Sequence, residues 1–149
     1  MRSQRKLEVA KILPWNHKLR ELIDTVADVV PRKDVENWIE RAMQGAGGTA
    51  RKVVAGMGSE VAVARLARQL YGGDRVRLST QSEDAKGTDM VITTRDGREV
   101  AIDIKTGGNI DDLGSRQKEV AINQNQIEGF DVREDQKREL EQRIRVAIE

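Results

Sequence analysis

The stretch DMVITTRDGREVAIDIKT, residues 89–106, predicts two antiparallel strands joined by a tight turn. Asp89–Thr94 is the first strand and Glu99–Thr106 the second. Between them, Arg95-Asp96-Gly97-Arg98 carries an Asp-Gly pair, the strongest short-range hairpin signal. In the second strand side chains alternate between faces. Val100, Ile102 and Ile104 share the face that seeks a core, and Glu99, Ala101, Asp103 and Lys105 share the other. Antiparallel pairing around the turn brings the early residues of one strand beside the late residues of the other. Asp89 is therefore expected near Asp103 and Lys105.

Upstream, Arg75–Thr80 alternates as a further strand, and a helix is expected over Ala50–Tyr71, closed by Gly72-Gly73-Asp74. Gly56-Met57-Gly58 marks a possible break in it, with Ser59 as a new N-cap. Glu60 then shares a face with Val63, Ala64, Ala67, Leu70 and Tyr71. A glutamate on an apolar face is costly unless it has a cation partner. Residues 1–48 read as a helical extension: a short apolar cluster at Leu7–Ile12, a helix from Trp15 to about Val30 ended by Pro31, and a third over Asp34–Met43 with Val35, Trp38, Ile39 and Ala42 on one face. The run Gln44-Gly45-Ala46-Gly47-Gly48-Thr49 is the best hinge signal, which places a boundary between residues 48 and 49. Downstream, a polar loop over Gly107–Gly114 leads to an expected helix over Ser115–Ile127, with Asp111 and Asp112 at its cap. From Arg133 to Glu149 the pattern begins as a helix with Leu140 and Ile144 on one face, yet Ile144, Val146 and Ile148 also alternate as a strand would. Both readings stand at that end.

The chain has 149 residues, no Cys, one His (His17) and 3% aromatics. Its core must be aliphatic. Disulfides, thiolate metal sites and cysteine nucleophiles are excluded, and a single imidazole leaves little room for a Ser-His-Asp triad. No apolar run approaches the roughly 20 residues a membrane-spanning helix needs, and the start lacks the apolar stretch of a secretion signal. A soluble, intracellular protein is the expectation. Charge is uneven. Residues 1–58 hold 11 Lys and Arg against 7 Asp and Glu, and residues 59–149 hold 15 against 18. The candidate chemistry falls in the acidic part, and carboxylates there would repel a phosphate unless a cation intervened.

Three carboxylates and an amine converging on one sheet edge suit a hard divalent cation, Mg²⁺ or Mn²⁺, which prefers oxygen ligands. The order Gly58-Ser59-Glu60, Gly87-Thr88-Asp89, a hairpin, then Ile102-Asp103-Ile104-Lys105 resembles the PD-(D/E)XK nuclease superfamily over about residues 58–127. Thr88 stands where that family's name has proline. The resemblance implies an α/β (α+β) fold with a restriction-endonuclease-like αβββαβ core over residues 49–149. It implies Asp89, Asp103 and Glu60 as metal ligands, Lys105 as the catalytic lysine, and phosphodiester hydrolysis of DNA as the activity. Gln117 is similar to the glutamine on the helix of the exonuclease-like branch, without that branch's tyrosine, since Ala121 follows at i+4. Lys86 in the loop before Asp89 and Arg51-Lys52 after the glycine run are candidate contacts to a phosphate backbone, or ordinary solvated charges. Cutting both strands suggests a homodimer. The alternatives are a non-catalytic DNA- or protein-binding module on the same fold and an RNA-cleaving toxin or effector.

Overall fold

The computed structural model describes residues 16–42, 47–106 and 118–149. The chain divides into two compact units, Met1–Gly58 and Ser59–Glu149. In the first, α1 (Asn16–Val26) and α2 (Arg32–Ala42) flank Pro31. The first helix stops at Val26, short of the expected Val30, and residues 27–30 form a turn in which the Val29 and Val30 amides donate to the Val26 carbonyl. Pro31 opens the next helix, its carbonyl accepting from the Asp34 and Val35 amides, and Asp34 places an acid in the first turn, where the helix dipole favours it. Ile23, Val35 and Ile39 are buried, but Trp38, expected on the apolar face, is 44% exposed, as is Leu22. The cluster at Leu7–Ile12, Met43 at the end of the third expected helix, residues 44–46 of the hinge run, and the loop Gly107–Gly114 with Asp111 and Asp112 lie outside the described residues.

Helix α3 runs unbroken from Gly47 to Tyr71. The expected interruption at Gly56-Met57-Gly58 is absent, and Ser59 is a fully buried residue of the helix interior rather than a cap. Two helical glycines cost roughly 1 kcal/mol each relative to alanine, an amount that burial of neighbours such as Val54 and Val61 offsets.

The second unit is a mixed α/β arrangement. Strands β1 (Val76–Leu78), β2 (Met90–Thr93), β3 (Glu99–Thr106) and β4 (Lys118–Ile122) lie side by side in that order. β1–β2 and β2–β3 are antiparallel, with Met90 opposite Ile102 and Thr93 opposite Glu99. β3–β4 is parallel, with Asp103 level with Glu119. A hairpin forms where the sequence predicts one, with a three-residue loop: Gly97 has φ +84°, its amide donates to the Thr94 carbonyl, and the Thr94 amide donates to the Arg98 carbonyl. A short helix, α4 (Gln81–Ala85), forms within the loop expected between β1 and β2. Val100, Ile102 and Ile104 meet Val63 and Ala67 of α3 and Leu140 and Ile144 of the last helix, α5 (Lys137–Ile148), in one core that also holds Met90, Ile92, Val120 and Ile122. The carboxyl end of the chain is thus helical. It carries the i, i+4 stripe Leu140–Ile144 on its buried side, while Val146 is 56% exposed.

Of the helix expected over Ser115–Ile127, the described part, from Lys118 on, is replaced. Lys118–Ile122 is strand β4, Gln124–Gln126 a 3₁₀ turn, and Ile127–Glu128 pairs with Asp131–Val132 as a two-stranded ribbon, β5 and β6. The reason lies in period. Val120 and Ile122 are buried and their neighbours are not, which is alternation of two, and a parallel partner on β3 is available to pair them. No helix among the described residues is long and apolar enough to cross a membrane.

Candidate active site

Asp103 and Lys105 lie on the face of β3 opposite Val100, Ile102 and Ile104, Glu119 of β4 is level with Asp103, and Asp89 stands at the entrance to β2. Its position follows from where the ladder stops. The last β2–β3 pair is Met90 with Ile102. One residue further, the Asp89 amide donates to the Ile102 carbonyl at 2.8 Å. Asp89 Oδ2 accepts the Ile104 amide, also at 2.8 Å. The carboxylate thus replaces a strand carbonyl that β2 no longer supplies, which fixes the side chain against β3. Gly87, at φ +90°, lets the chain turn from α4 into this strand.

Asp89 is 7% exposed. Burial pushes its carboxyl far above the ordinary range, to about 9. The negative charge of Glu60 and hydrogen bonds to Asp103 and Glu60 act in the same direction, and the Ile104 amide opposes them. Three carboxyl groups from α3, the start of β2 and the middle of β3 therefore meet, as the sequence predicts. Lys105 Nζ lies 3.3 Å from Asp103 Oδ2, with about half of the lysine side chain exposed and the aspartate largely covered. The hydrogen bond and charge of Asp103 raise the lysine's pKa, and Glu119 and Asp89 contribute further in that direction. Lys105 remains an ammonium.

Glu119 belongs to this group, and sequence reasoning missed it. The sequence pattern puts it in a helix, whereas the parallel β3–β4 register sets it level with Asp103. The signal that could have found it is the alternation Glu119, Val120, Ala121, Ile122, which matches a buried-edge strand. Lys86 is exposed, three residues before Asp89. Arg51 and Lys52 are exposed on the part of α3 that belongs to the first unit. Gln117 and His17 lie outside what is described of side chains. Gln124 reaches back to α3, its Nε2 donating to Ser59 Oγ at 2.8 Å, which ties the turn after β4 to the residue preceding Glu60.

The donor set suits a hard cation in chemistry: it offers oxygens only, an excess of negative charge, and a buried carboxyl that holds a proton for want of positive charge. It is not a preformed cage. Among the described residues no group of three or more His, Cys, Asp or Glu side chains is disposed to hold a metal ion. The carboxyls close on one another instead. No protein-family profile, curated protein or solved structure matches the chain.

Proposed function

We propose that this chain is a metal-dependent nuclease that hydrolyses phosphodiester bonds of DNA, built on a restriction-endonuclease-like core of the PD-(D/E)XK kind. The observation that carries the reading is the meeting of Asp89, Asp103 and Glu60 at one end of the sheet with Lys105 beside Asp103. Asp89, Asp103 and Glu60 would hold Mg²⁺ or Mn²⁺. Such an ion supplies positive charge to a phosphate and lowers the pKa of bound water. The chain's own groups do the rest. Asp103 positions the Lys105 ammonium, whose exposed head can donate to an attacking water or to a phosphate oxygen at the site's mouth. Lys86, near Asp89 in the chain, and Arg51 and Lys52 of the other unit are exposed cations suited to backbone phosphates. A homodimer would supply two such centres for the two strands of a duplex.

The test is a cleavage panel with the full chain. Labelled single-stranded, duplex, flapped and four-way-junction DNA, and RNA, are incubated with Mg²⁺, with Mn²⁺ and with chelator. We expect cleavage of DNA that requires the divalent ion. Asp103→Ala and Lys105→Ala should each lose on the order of a hundredfold or more in rate, with circular dichroism unchanged. Full activity in Asp103→Ala overturns the assignment, and preference for RNA redirects it to an RNA-cleaving effector.

One observation favours a second reading, a non-catalytic nucleic-acid-binding module. The carboxyls of the cluster are hydrogen-bonded to one another, and no cage of three acidic ligands is preformed among the described residues. Calorimetry separates the two: DNA affinity without any uptake of Mg²⁺ or Mn²⁺ at millimolar concentration supports the module.

A further inference from the structure

The opposite end of the same sheet holds an open groove of about 570 Å³. Asp89 precedes β2 and the groove is lined from Ile92 to the strand's end, so the two are separated by roughly 10 Å of strand at about 3.3 Å per residue. The groove's apolar wall is Leu70, Ile92 and Ile148, joined by Tyr71, and its cations are Arg75 and Arg95. All six belong to the second unit. Small-molecule sites fall in roughly this size range, about 300–1,000 Å³, with an apolar lining and a few convergent polar groups.

The two arginines set the groove apart. Arg68, Arg77 and Arg98 nearby are each engaged, with the Val76 carbonyl, Glu83 and the Ile148 carbonyl. Among the described residues neither Arg75 nor Arg95 makes a side-chain hydrogen bond or ion pair. A third positive charge is close, because Arg145 acts on the Tyr71 phenol. Two arginines in the groove, with the charge of Arg145 felt at its tyrosine, favour an anion of more than one charge. A phosphate monoester carries about −1.5 to −2 near neutral pH, and guanidinium forks match its oxygens in pairs. The tyrosine ring and aliphatic wall accept a flat apolar body.

We propose that this groove is a second binding site, separate from the carboxylate cluster, for an organic phosphate with a flat ring system, of the nucleoside monophosphate class. It does not rest on the nuclease reading, since none of the cluster residues lines it.

The experiment is a heteronuclear NMR titration of the full chain in chelator, which silences any metal-dependent hydrolysis. The probes are adenosine monophosphate, adenosine, inorganic phosphate, and a short oligonucleotide with and without a terminal phosphate. We expect the monophosphate to shift amides at Leu70, Arg75 and Thr94, and adenosine and inorganic phosphate each to bind at least about tenfold more weakly, since each lacks one half of the recognition. Arg75→Ala with Arg95→Ala should weaken the monophosphate by at least about tenfold, and Asp103→Asn should leave it unchanged. Should the double variant lose its folded spectrum, Arg95→Gln, at an exposed position, carries the same comparison at smaller amplitude. Phosphate-dependent capture of the oligonucleotide at the same amides supports the site and identifies a strand terminus as the source of the phosphate. The proposal is overturned if the monophosphate produces no shifts at these amides up to about 10 mM, if adenosine or inorganic phosphate binds equally well, or if the arginine variants bind unchanged.

Discussion

At the scale of single residues, Asp89 is the most informative. Its neighbours and its burial favour the protonated form in the folded chain, about 9 against about 3.8 for the ordinary aspartate. The folded state therefore holds a proton that the unfolded chain releases. The sign follows: this group's stabilising contribution is full below about pH 4 and is lost progressively as pH rises toward 9. Asp89→Asn keeps the shape and the contacts to Glu60 and Asp103 without the ionisation. We expect its melting temperature in metal-free buffer to match the wild type at pH 4 and to exceed it by several degrees at pH 8, read by circular dichroism across pH. A difference independent of pH would show that Asp89 is not held as an acid. The same variant should abolish the divalent-dependent cleavage proposed above. Most of this residue set was legible in the sequence, because an Asp-Gly turn fixes hairpin register and register fixes which side chains meet. Glu119 was not, because a parallel neighbour joins across sequence and leaves no turn to announce it.

Among the elements, α4 shows how much a short segment depends on local bonds. Five residues, Gln81–Ala85, bury nothing. They hold because Thr80 and Glu83 form a reciprocal capping box, with Thr80 Oγ1 accepting from the Glu83 amide at 3.2 Å and Glu83 Oε1 accepting from the Thr80 amide at 2.8 Å. Arg77 of β1 adds a two-pronged contact to Glu83, at 2.6 and 2.9 Å. Hydrogen bonding to Arg77 and then to Thr80 holds the Glu83 carboxyl well below its usual range, at about 2. This depressed carboxylate contributes stability that is present above about pH 4.5 and lost as pH falls toward 2. Thr80→Ala should cost about 0.5–2 kcal/mol of local stability, and Glu83→Gln should remove the acid-side dependence. Amide hydrogen exchange of residues 81–86 between pH 3 and 6 measures both. If exchange there is indifferent to Glu83→Gln, the box does not hold the helix. The sequence offered this segment only as a polar loop, since five residues without an apolar stripe give no periodicity to read. It offered Lys118–Ile122 as a helix for a related reason: the few apolar positions around Val120 and Ile122 fit either period until a neighbouring strand decides.

For the second unit as a whole, stability resides in one aliphatic core between the sheet and the helices α3 and α5. Ile102 is its centre. It is fully buried, paired with Met90 on one side and Lys118 on the other. Ile102→Ala should cost about 2–5 kcal/mol, measured by urea denaturation. Because Asp103 is the next residue, the same change should also reduce any cleavage activity more than its effect on folded population explains. A loss under 1 kcal/mol would mean that the core closes around the gap. The aliphatic character of this core was legible from composition alone, with Phe130 the only buried aromatic among the described residues. The mixed sheet order was not, because the link from β3 to β4 passes through residues 107–117, where glycine and polar residues carry no pattern.

The Asp89 carboxylate does double duty: one oxygen closes the backbone ladder at Ile104, and the group as a whole meets its acidic neighbours. Chain length is therefore unequally tolerated along the hairpin. An insertion at the Arg95–Arg98 tip changes only how the ribbon folds back. A single deletion between Asp89 and Thr94 would swing that carboxylate to the opposite surface and leave the Ile104 amide unsatisfied, so diversification of this protein has room at the tip and none in the arm.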